Sequence, residues 1–152
     1  AYIPISWEEA KNKVNTWKSQ GETVVFTNGC FDILHKGHIT YLQQAAALGE
    51  HLIIGLNADE SVKKLKGEGR PVNSESDRAF MLKSLRFVDE VVIFNEETPL
   101  ELLKCLEPDI LVKGGDYSVE DVIGKEYAGE VRILPFVKGY STTQIINKIL
   151  GK

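Results

Sequence analysis

Two histidines three residues apart, His35 and His38, are the residues best suited to chemistry in this sequence. They close the run GCFDILHKGH (residues 29–38), which follows the apolar, β-branched segment 23–27 and leads into a helical pattern. The pair therefore lies at a predicted strand-to-helix turn, with both imidazoles on one face of the first helical turn. Because a helix N-terminus carries unpaired N–H groups and a partial positive charge, this arrangement predicts an anion site.

Simpler roles exist for each histidine taken alone, such as capping the helix or packing against it. Zinc binding is a further alternative, but structural zinc usually takes four ligands. The third histidine, His51, begins a different predicted strand, and Cys30 has no second cysteine near it. We therefore favour a phosphate site over a metal site, with Gly37 leaving room for close approach.

Three later segments also carry candidate binding groups. Residues 63–70 place four cations and two glycines between two helices, although a solvated basic loop would look the same. Residues 113–117 follow an apolar strand; there Asp116 could bind sugar hydroxyls, contact water on magnesium, or stabilise its own turn. Residues 141–143 begin the last helix, where capping alone would explain a serine and two threonines. Two roles are likewise open for Asp32, which could stabilise its own turn or face a ligand.

Alternating elements predict the fold class. The Ser6 to Glu9 capping box begins a helix that ends near Gly21, and a second capping box places Pro99 at a first helical position. Strands are predicted at 23–28, 51–56, 90–94, 109–113 and 131–134, and further helices at 37–48, 59–65, 74–86, 98–106 and from 142 onward. This order predicts an α/β fold with three layers: a Rossmann-like, doubly wound sheet of about five parallel strands, with ligands beyond the carboxyl ends of the strands.

Composition narrows the function class. With 152 residues, 43% of them hydrophobic and 26% charged, the chain is expected to form one domain over residues 1–152. Its net charge of −4 argues against a nucleic-acid or membrane-surface binder. Neither a transmembrane run nor a signal segment is predicted, and two unrelated cysteines favour a reducing compartment, so we expect a cytoplasmic protein. Neither GxGxxG nor GxxxxGK[ST] occurs, which removes the main support for dehydrogenase and P-loop kinase readings.

The segments together resemble a known family. The run at 29–38 resembles the HxGH signature of the cytidylyltransferase-like nucleotidyltransferases. The segments 66–73, 88–89, 113–117 and 139–146, together with Arg78, follow in the family's order. Jointly they resemble the branch that adenylylates D-glycero-β-D-manno-heptose 1-phosphate to form ADP-heptose, over residues 22–150.

The resemblance implies a role for each matching residue. His35, His38 and Lys66 would be catalytic. Nucleotide-binding residues would be Asn28, Gly29, Cys30, Phe31, His35, Gly37, His38, Gly114, Asp116, Ser141, Thr142 and Thr143. Substrate-binding residues would be Asp32, Lys66, Arg70 and Lys113. ATP would be the co-substrate, and Mg²⁺ would be held mainly through the triphosphate, with no protein ligand assigned.

Two other functions remain open at this stage. One is a cytidylyltransferase acting on glycerol 3-phosphate or a related phosphorylated alcohol, although that branch typically has an arginine shortly before the Ser-Thr-Thr element and residues 135–138 supply none. The other is a nucleotide sensor without catalysis. The resemblance further implies a homo-oligomer and a separate heptose 7-phosphate kinase. Trp7, Trp17 and the pair Phe87 and Val88 offer surface for pairing or side chains for the core.

Overall fold

The computed structural model describes residues 2–152, which form alternating helices and strands. The elements in chain order are α1 (Trp7–Ser19), β1 (Val24–Gly29), α2 (Lys36–Ala46), β2 (His51–Asn57), α3 (Asp59–Lys66), α4 (Glu75–Lys83), β3 (Glu90–Phe94), α5 (Leu100–Leu106), β4 (Ile110–Gly114), β5 (Glu130–Leu134) and α6 (Thr142–Ile149). Two 3₁₀ turns, Val119–Asp121 and Lys125–Tyr127, lie between β4 and β5. Each predicted strand is present within one residue of its expected ends.

The five strands form one parallel sheet in the order β3-β2-β1-β4-β5. The chain first moves outward from β1 to β2 and β3, then returns to the other side of β1 for β4 and β5. The order therefore reverses between β1 and β4, and ligands of such sheets bind beyond the strand ends at that point. The predicted fold class is confirmed.

Side chains of β1 alternate between two cores, as a strand's period of two requires. Val24 and Phe26 face one core with residues of α1 and α5, whereas Val25 faces the other with residues of α2 and α4. The sheet is thus covered by helices on both faces, in three layers. The same alternation decides which side chains at the strand ends point to which face.

The helix signals are partly confirmed. Ser6 caps α1 by accepting a hydrogen bond from the N–H of Glu9, and Gly21 has a φ of +76° after the helix. The capping box predicted for α5 is wrong: Pro99 is the N-cap rather than the first helical residue, and no side chain caps this helix. The ψ of Pro99 is 15°, and Thr98 Oγ1 contacts the N–H of Leu100 at 3.4 Å instead of a later N–H.

Both tryptophans and Val88 belong to the packed interior. Trp7 and Trp17 pack against the core shared by α1 and α5, and Trp7 Nε1 donates to the carbonyl of Ile93 at 2.9 Å. Val88 is buried, with Phe87 packed beside the core of α2 and α4. These side chains therefore serve the fold. Among residues 2–152, no helix combines the length and apolarity that crossing a bilayer requires.

A charged cluster surrounds His51 at the amino edge of the sheet. The His51 ring stacks on Trp17 with ring centroids 4.0 Å apart, its Nδ1 lies 3.1 Å from Asp89 Oδ1, and its Nε2 lies 3.2 Å from Glu22 Oε1. Burial alone would lower the pKa of His51, but hydrogen bonding to Asp89 and the two carboxylate charges raise it above 6.5. The folded protein thus favours the imidazolium form.

Replacing His51 with glutamine should make stability less dependent on pH. A raised folded pKa contributes stability that is present below pH 6.5 and is lost as the pH rises through the folded pKa. We expect His51→Gln to destabilise the protein more at pH 6 than at pH 9, measured by urea unfolding at both values. Loss of the Trp17 stack contributes equally at both pH values, so an equal destabilisation would contradict the charged cluster.

Candidate active site

A crevice opens at the carboxyl edge of the sheet because β1 and β4 pair over only part of their length. Their register joins Val25 to Ile110 and Phe26 to Leu111, and no further pair follows. At the next position Thr27 Oγ1 donates to the carbonyl of Val112 at 3.0 Å. A side chain therefore satisfies a buried carbonyl after the ladder ends, and the strand ends beyond it are left to line a cavity.

Tyr41 on α2 completes this arrangement. Its hydroxyl lies 2.7 Å from Thr27 Oγ1 and 3.3 Å from the carbonyl oxygen of Val112. Burial raises the pKa of Tyr41 to about 12, although the hydrogen bond with Thr27 opposes this. The phenol stays protonated at neutral pH and fastens α2 to the two splayed strands.

The cavity at this edge has a volume of about 730 Å³, within the range of ligand sites. All but one of the residues proposed from the sequence line it. They are Asn28, Gly29, Cys30, Phe31, Asp32, His35, Gly37, His38, Lys66, Arg70, Lys113, Gly114, Ser141, Thr142 and Thr143. The exception is Asp116, which is exposed and outside the cavity wall. Lys63 and Lys64 also lie outside it.

His35 is the N-cap of α2 and a wall of the cavity at once. Its Nδ1 accepts a hydrogen bond from the N–H of His38 at 3.3 Å. Nδ1 must therefore be unprotonated, which puts the proton of the neutral ring on Nε2. The cap thus fixes the tautomer and leaves Nε2–H as a donor for a ligand.

The two imidazoles lie against each other and are neutral in the free protein. Their ring centroids are 3.7 Å apart, with an interplanar angle of 21°. Burial, and to a smaller extent the charge of His35, lowers the pKa of His38 to about 4, and burial lowers the pKa of His35. His38 Nδ1 is buried without a partner among the described residues. An anion would supply both an acceptor and a compensating charge here.

The turn before α2 is tightly packed. Phe31 adopts a φ of +46°, an unusual conformation for a residue with a side chain. Its ring contacts His38 edge-on, at 5.2 Å between centroids. A Cβ on Gly37 would come within 2.9 Å of His35 Cε1 and of Tyr140 Cβ. The small residue at 37 therefore makes room for neighbouring side chains, and it also lines the cavity, where close approach of a ligand stays a prediction.

A second helix N-terminus meets the first. Ser141 caps α6 by accepting from the N–H of Gln144 at 3.0 Å, which identifies the capping hydroxyl. Thr142 Oγ1 donates to the carbonyl of Ile33 at 3.1 Å and so joins the start of α6 to the turn before α2. The free N–H groups of two helices thus border one cavity, and their dipoles both favour an anion there.

Asp32 fixes the loop that follows α3. Its carboxylate accepts from the N–H groups of Val72 and Asn73 and from Arg70 Nε, all at 2.8–2.9 Å. Burial alone would raise the pKa of Asp32, but these hydrogen bonds outweigh it and lower the pKa. The geometry therefore supports the structural alternative for Asp32.

Arg70 and Lys66 lie on the cavity side of this loop. Only Nε of Arg70 is engaged within residues 2–152, which leaves both Nη groups for an anion. Lys66 ends α3, and the glycine after it has a φ of +94°. Lys66 and Arg70 thus both border the cavity, and Asp32 holds the loop that carries Arg70.

Arg78 on α4 is a structural residue that the sequence did not single out for a role. Its side chain is fully buried, and Nη1 donates to the carbonyls of Cys30 and Asn57 at 2.8 and 2.9 Å. Its Nε donates to the carbonyl of Asn73, and Nη2 pairs with Asp59 at 2.8 Å. One guanidinium thus ties the ends of β1 and β2 to the loop before α4 and the start of α3.

The end of β4 supplies a cation and a glycine turn. Burial lowers the pKa of Lys113, whose Nζ lies 5.4 Å from the centroid of the Tyr117 ring. Gly115 has a φ of +107°, so one of the two glycines does take the conformation that glycine favours. This sharp turn leaves Asp116 pointing away from the cavity wall.

Fold and site together define a class of protein: an α/β domain with a cavity at the sheet's reversal point, where two helix starts meet. Residues 26–148 match the model of the cytidylyltransferase-like family, and the chain belongs to this family. It is therefore a nucleotidyltransferase by family.

Curated relatives agree with this assignment. The chain is 63% identical to the bifunctional protein HldE of Campylobacter fetus over 131 residues, which are 86% of this chain and 29% of the relative. It is 52% identical to the bifunctional protein HldE of Wolinella succinogenes over 147 residues, 97% of this chain and 31% of that protein. The chain thus spans about three tenths of the length of the curated relatives it matches.

A solved structure has the same fold. The crystal structure of the lipopolysaccharide core biosynthesis protein from Thermoplasma volcanium matches with a TM-score of 0.66 and 27% identity. The match covers 80% of this chain and all of that one.

Removing the guanidinium of Arg78 should destabilise the fold and the site together. Arg78→Leu leaves three carbonyls without their donor, that of Asn57 buried and those of Cys30 and Asn73 part-buried, and we expect a loss of about 3 kcal/mol or more in the free energy of unfolding. Urea denaturation measures it. Arg86→Leu, at an exposed arginine nearby, is the matched control and should change stability by less than about 0.5 kcal/mol. Equal effects would contradict the role of Arg78.

Proposed function

We propose that this chain transfers AMP from ATP to D-glycero-β-D-manno-heptose 1-phosphate, producing ADP-heptose and pyrophosphate for lipopolysaccharide or other surface heptose. The observation that carries the proposal is the meeting of two capped helix starts beside stacked, neutral imidazoles at the sheet's reversal point. The relatives named bifunctional protein HldE and the lipopolysaccharide core biosynthesis protein support the sugar assignment.

The reaction joins a phosphate oxygen of the acceptor to the α-phosphorus of ATP. It breaks the bond between the α-phosphorus and the oxygen that bridges to the β-phosphate, and pyrophosphate leaves with that electron pair. The attacking oxygen is already ionised, so no general base is needed, and catalysis rests on positioning and charge stabilisation. His35 Nε2–H, His38 and the N–H groups that begin α2 and α6 would bind the triphosphate.

Cations complete the charge balance. Lys66 and the Nη groups of Arg70 would contact phosphate oxygens of the acceptor or the leaving group. Lys113 would do so from the carboxyl end of β4. A lowered pKa of Lys113 makes its ammonium costly while the cavity is empty, and a bound phosphate removes that cost. Preorganised donors of this kind stabilise charge as it builds in the transition state.

Mg²⁺ is proposed to enter with the triphosphate. Within residues 2–152 no group of three or more His, Cys, Asp or Glu side chains is placed to hold a metal ion. Mg²⁺ in nucleotide sites is typically bound by phosphates, waters and one or two carboxylates, and Asp121 is a carboxylate in the cavity wall that could take part. When bound, the ion would neutralise charge on the departing pyrophosphate.

The acceptor sugar is proposed to bind on the α5 face of the sheet. By strand alternation Asn28, Asn57 and Lys113 point to the face that packs against α1 and α5, away from the His35 and His38 side. Glu97 lines the same cavity. Amides and carboxylates suit a ligand rich in hydroxyl groups, and Lys113 suits its phosphate.

Other parts of the proposal concern the cellular setting. A separate kinase that phosphorylates C1 of heptose 7-phosphate, followed by hydrolysis of the 7-phosphate, would supply the sugar 1-phosphate. We expect the reaction to occur in the cytoplasm, where ATP is available, and the protein to form a homo-oligomer.

Pyrophosphate release tests the function. We expect release with ATP and heptose 1-phosphate, and at least a hundredfold lower kcat/KM with CTP or with glycerol 3-phosphate. Preferred use of CTP with glycerol 3-phosphate would establish the cytidylyltransferase alternative. Binding of ATP without release for any of these pairs would indicate a nucleotide sensor.

Replacing either histidine should slow turnover. His38→Ala and His35→Asn should each lower kcat by about a hundredfold, the cost of losing one oxyanion donor. Asparagine at 35 can still cap α2, so this variant separates ligand contact from helix stability. His51→Gln, at the opposite edge of the sheet, is the control and should keep its kcat. A change of less than twofold in both site variants would reject the assignment.

A further inference from the structure

Phe136 is an exposed aromatic side chain in the wall of a binding cavity. It lies between β5 and α6 with 71% of its surface accessible, although burying a phenylalanine is normally favourable. Val137 and Tyr140 line the cavity beside it. The start of α6, which also borders the cavity, follows only a few residues later in the chain.

The Phe136 ring is supported on one side by two glycines. A Cβ on Gly115 would lie 2.7 Å from Cε2 and 3.1 Å from Cζ, and one on Gly114 would lie 3.0 Å from Cε1 and 3.5 Å from Cδ1. Opposite edges of the ring therefore approach neighbouring residues, so the ring lies across the Gly114 to Gly115 backbone. Any larger residue at these positions would displace it.

An aromatic ring with one side on backbone and much of its surface open is suited to stacking against a flat group. We propose that Phe136 stacks on the base of the bound nucleotide and favours a purine over a pyrimidine. This inference rests on the proposed function, because it takes the triphosphate to lie at the starts of α2 and α6. The base then falls near Phe136, on the apolar side of the cavity.

The choice between bases follows from contact area. A purine offers two fused rings to the Phe136 surface, whereas a pyrimidine offers one. Residues 135–137 carry no charged side chain, so stacking and apolar contact dominate recognition at this end. Phe136 would thereby contribute to the preference for ATP over CTP.

Equilibrium binding tests the inference without the sugar. ATP, CTP and inorganic tripolyphosphate are titrated into the wild-type protein and the variants Phe136→Ala and Phe136→Tyr. We expect Phe136→Ala to weaken ATP binding about tenfold or more, CTP binding less, and tripolyphosphate binding by less than twofold because it has no base. Phe136→Tyr retains an aromatic ring and should restore ATP affinity.

The matched control is Phe80→Ala. Phe80 is also an exposed phenylalanine, at 56% accessibility, but it packs edge-on against Tyr2 and lies outside the cavity wall. This variant should bind all three ligands as the wild type does.

Several results would overturn the inference. ATP affinity unchanged in Phe136→Ala would do so, as would an equal loss for tripolyphosphate, which would indicate a structural role. Loss of ATP affinity in Phe80→Ala, or failure of the wild type to bind ATP more tightly than tripolyphosphate, would have the same meaning. If ATP binding depends on Phe136 while the wild type releases no pyrophosphate with heptose 1-phosphate, the inference is supported and the proposed reaction is rejected.

Discussion

The buried guanidinium of Arg78 is the interaction on which the site's geometry depends. Three carbonyls from separate segments converge on it, and each would lose this donor if the guanidinium were absent. Because Asn73, which Arg78 contacts, also donates to Asp32, the network extends to the loop that carries Arg70. Arg78 thus uses its donors to hold the scaffold together, whereas Arg70 keeps its Nη groups for a ligand.

Positive groups border the cavity, although the net charge of the protein is negative. The chain carries a net charge of −4, yet its cavity is bordered by Lys66, Arg70, Lys113 and two helix starts. The histidines remain neutral there because burial and their mutual contact disfavour a second positive charge. The cavity wall therefore combines neutral hydrogen-bonding groups at His35 and His38 with the full charges of Lys66, Arg70 and Lys113.

The sheet could be predicted from sequence because its strands are short, β-branched, apolar runs separated by clear helix and turn signals. Strand alternation then places residues at the carboxyl edge with little ambiguity. The exceptions arise where backbone turns decide direction. Asp116 follows a glycine with positive φ that turns it outward, and Pro99 sits at the cap because its ψ is not helical.

Side-chain networks between segments far apart in the chain could not be predicted from the sequence. Arg78 looked like one residue of a family pattern, and nothing local reveals that its partners lie 5 to 48 positions away. The role of the Tyr41 hydroxyl follows only from the early end of the β1 and β4 ladder, which the sequence does not reveal. The positive φ of Phe31 likewise depends on the packed turn around it.

One feature of His35 links ligand binding to local order. The first N–H groups of a helix have no acceptor within the helix. At the start of α2 the His35 ring, which also faces the cavity, accepts from one of them. Fraying of the first turn of α2 would release Nδ1 and free the ring to rotate, so the ligand's donor and the helix start are lost in a single step. By linkage, a bound anion must slow hydrogen exchange at the amide of His38. Protection of one backbone amide thus becomes a gauge of occupancy at the site.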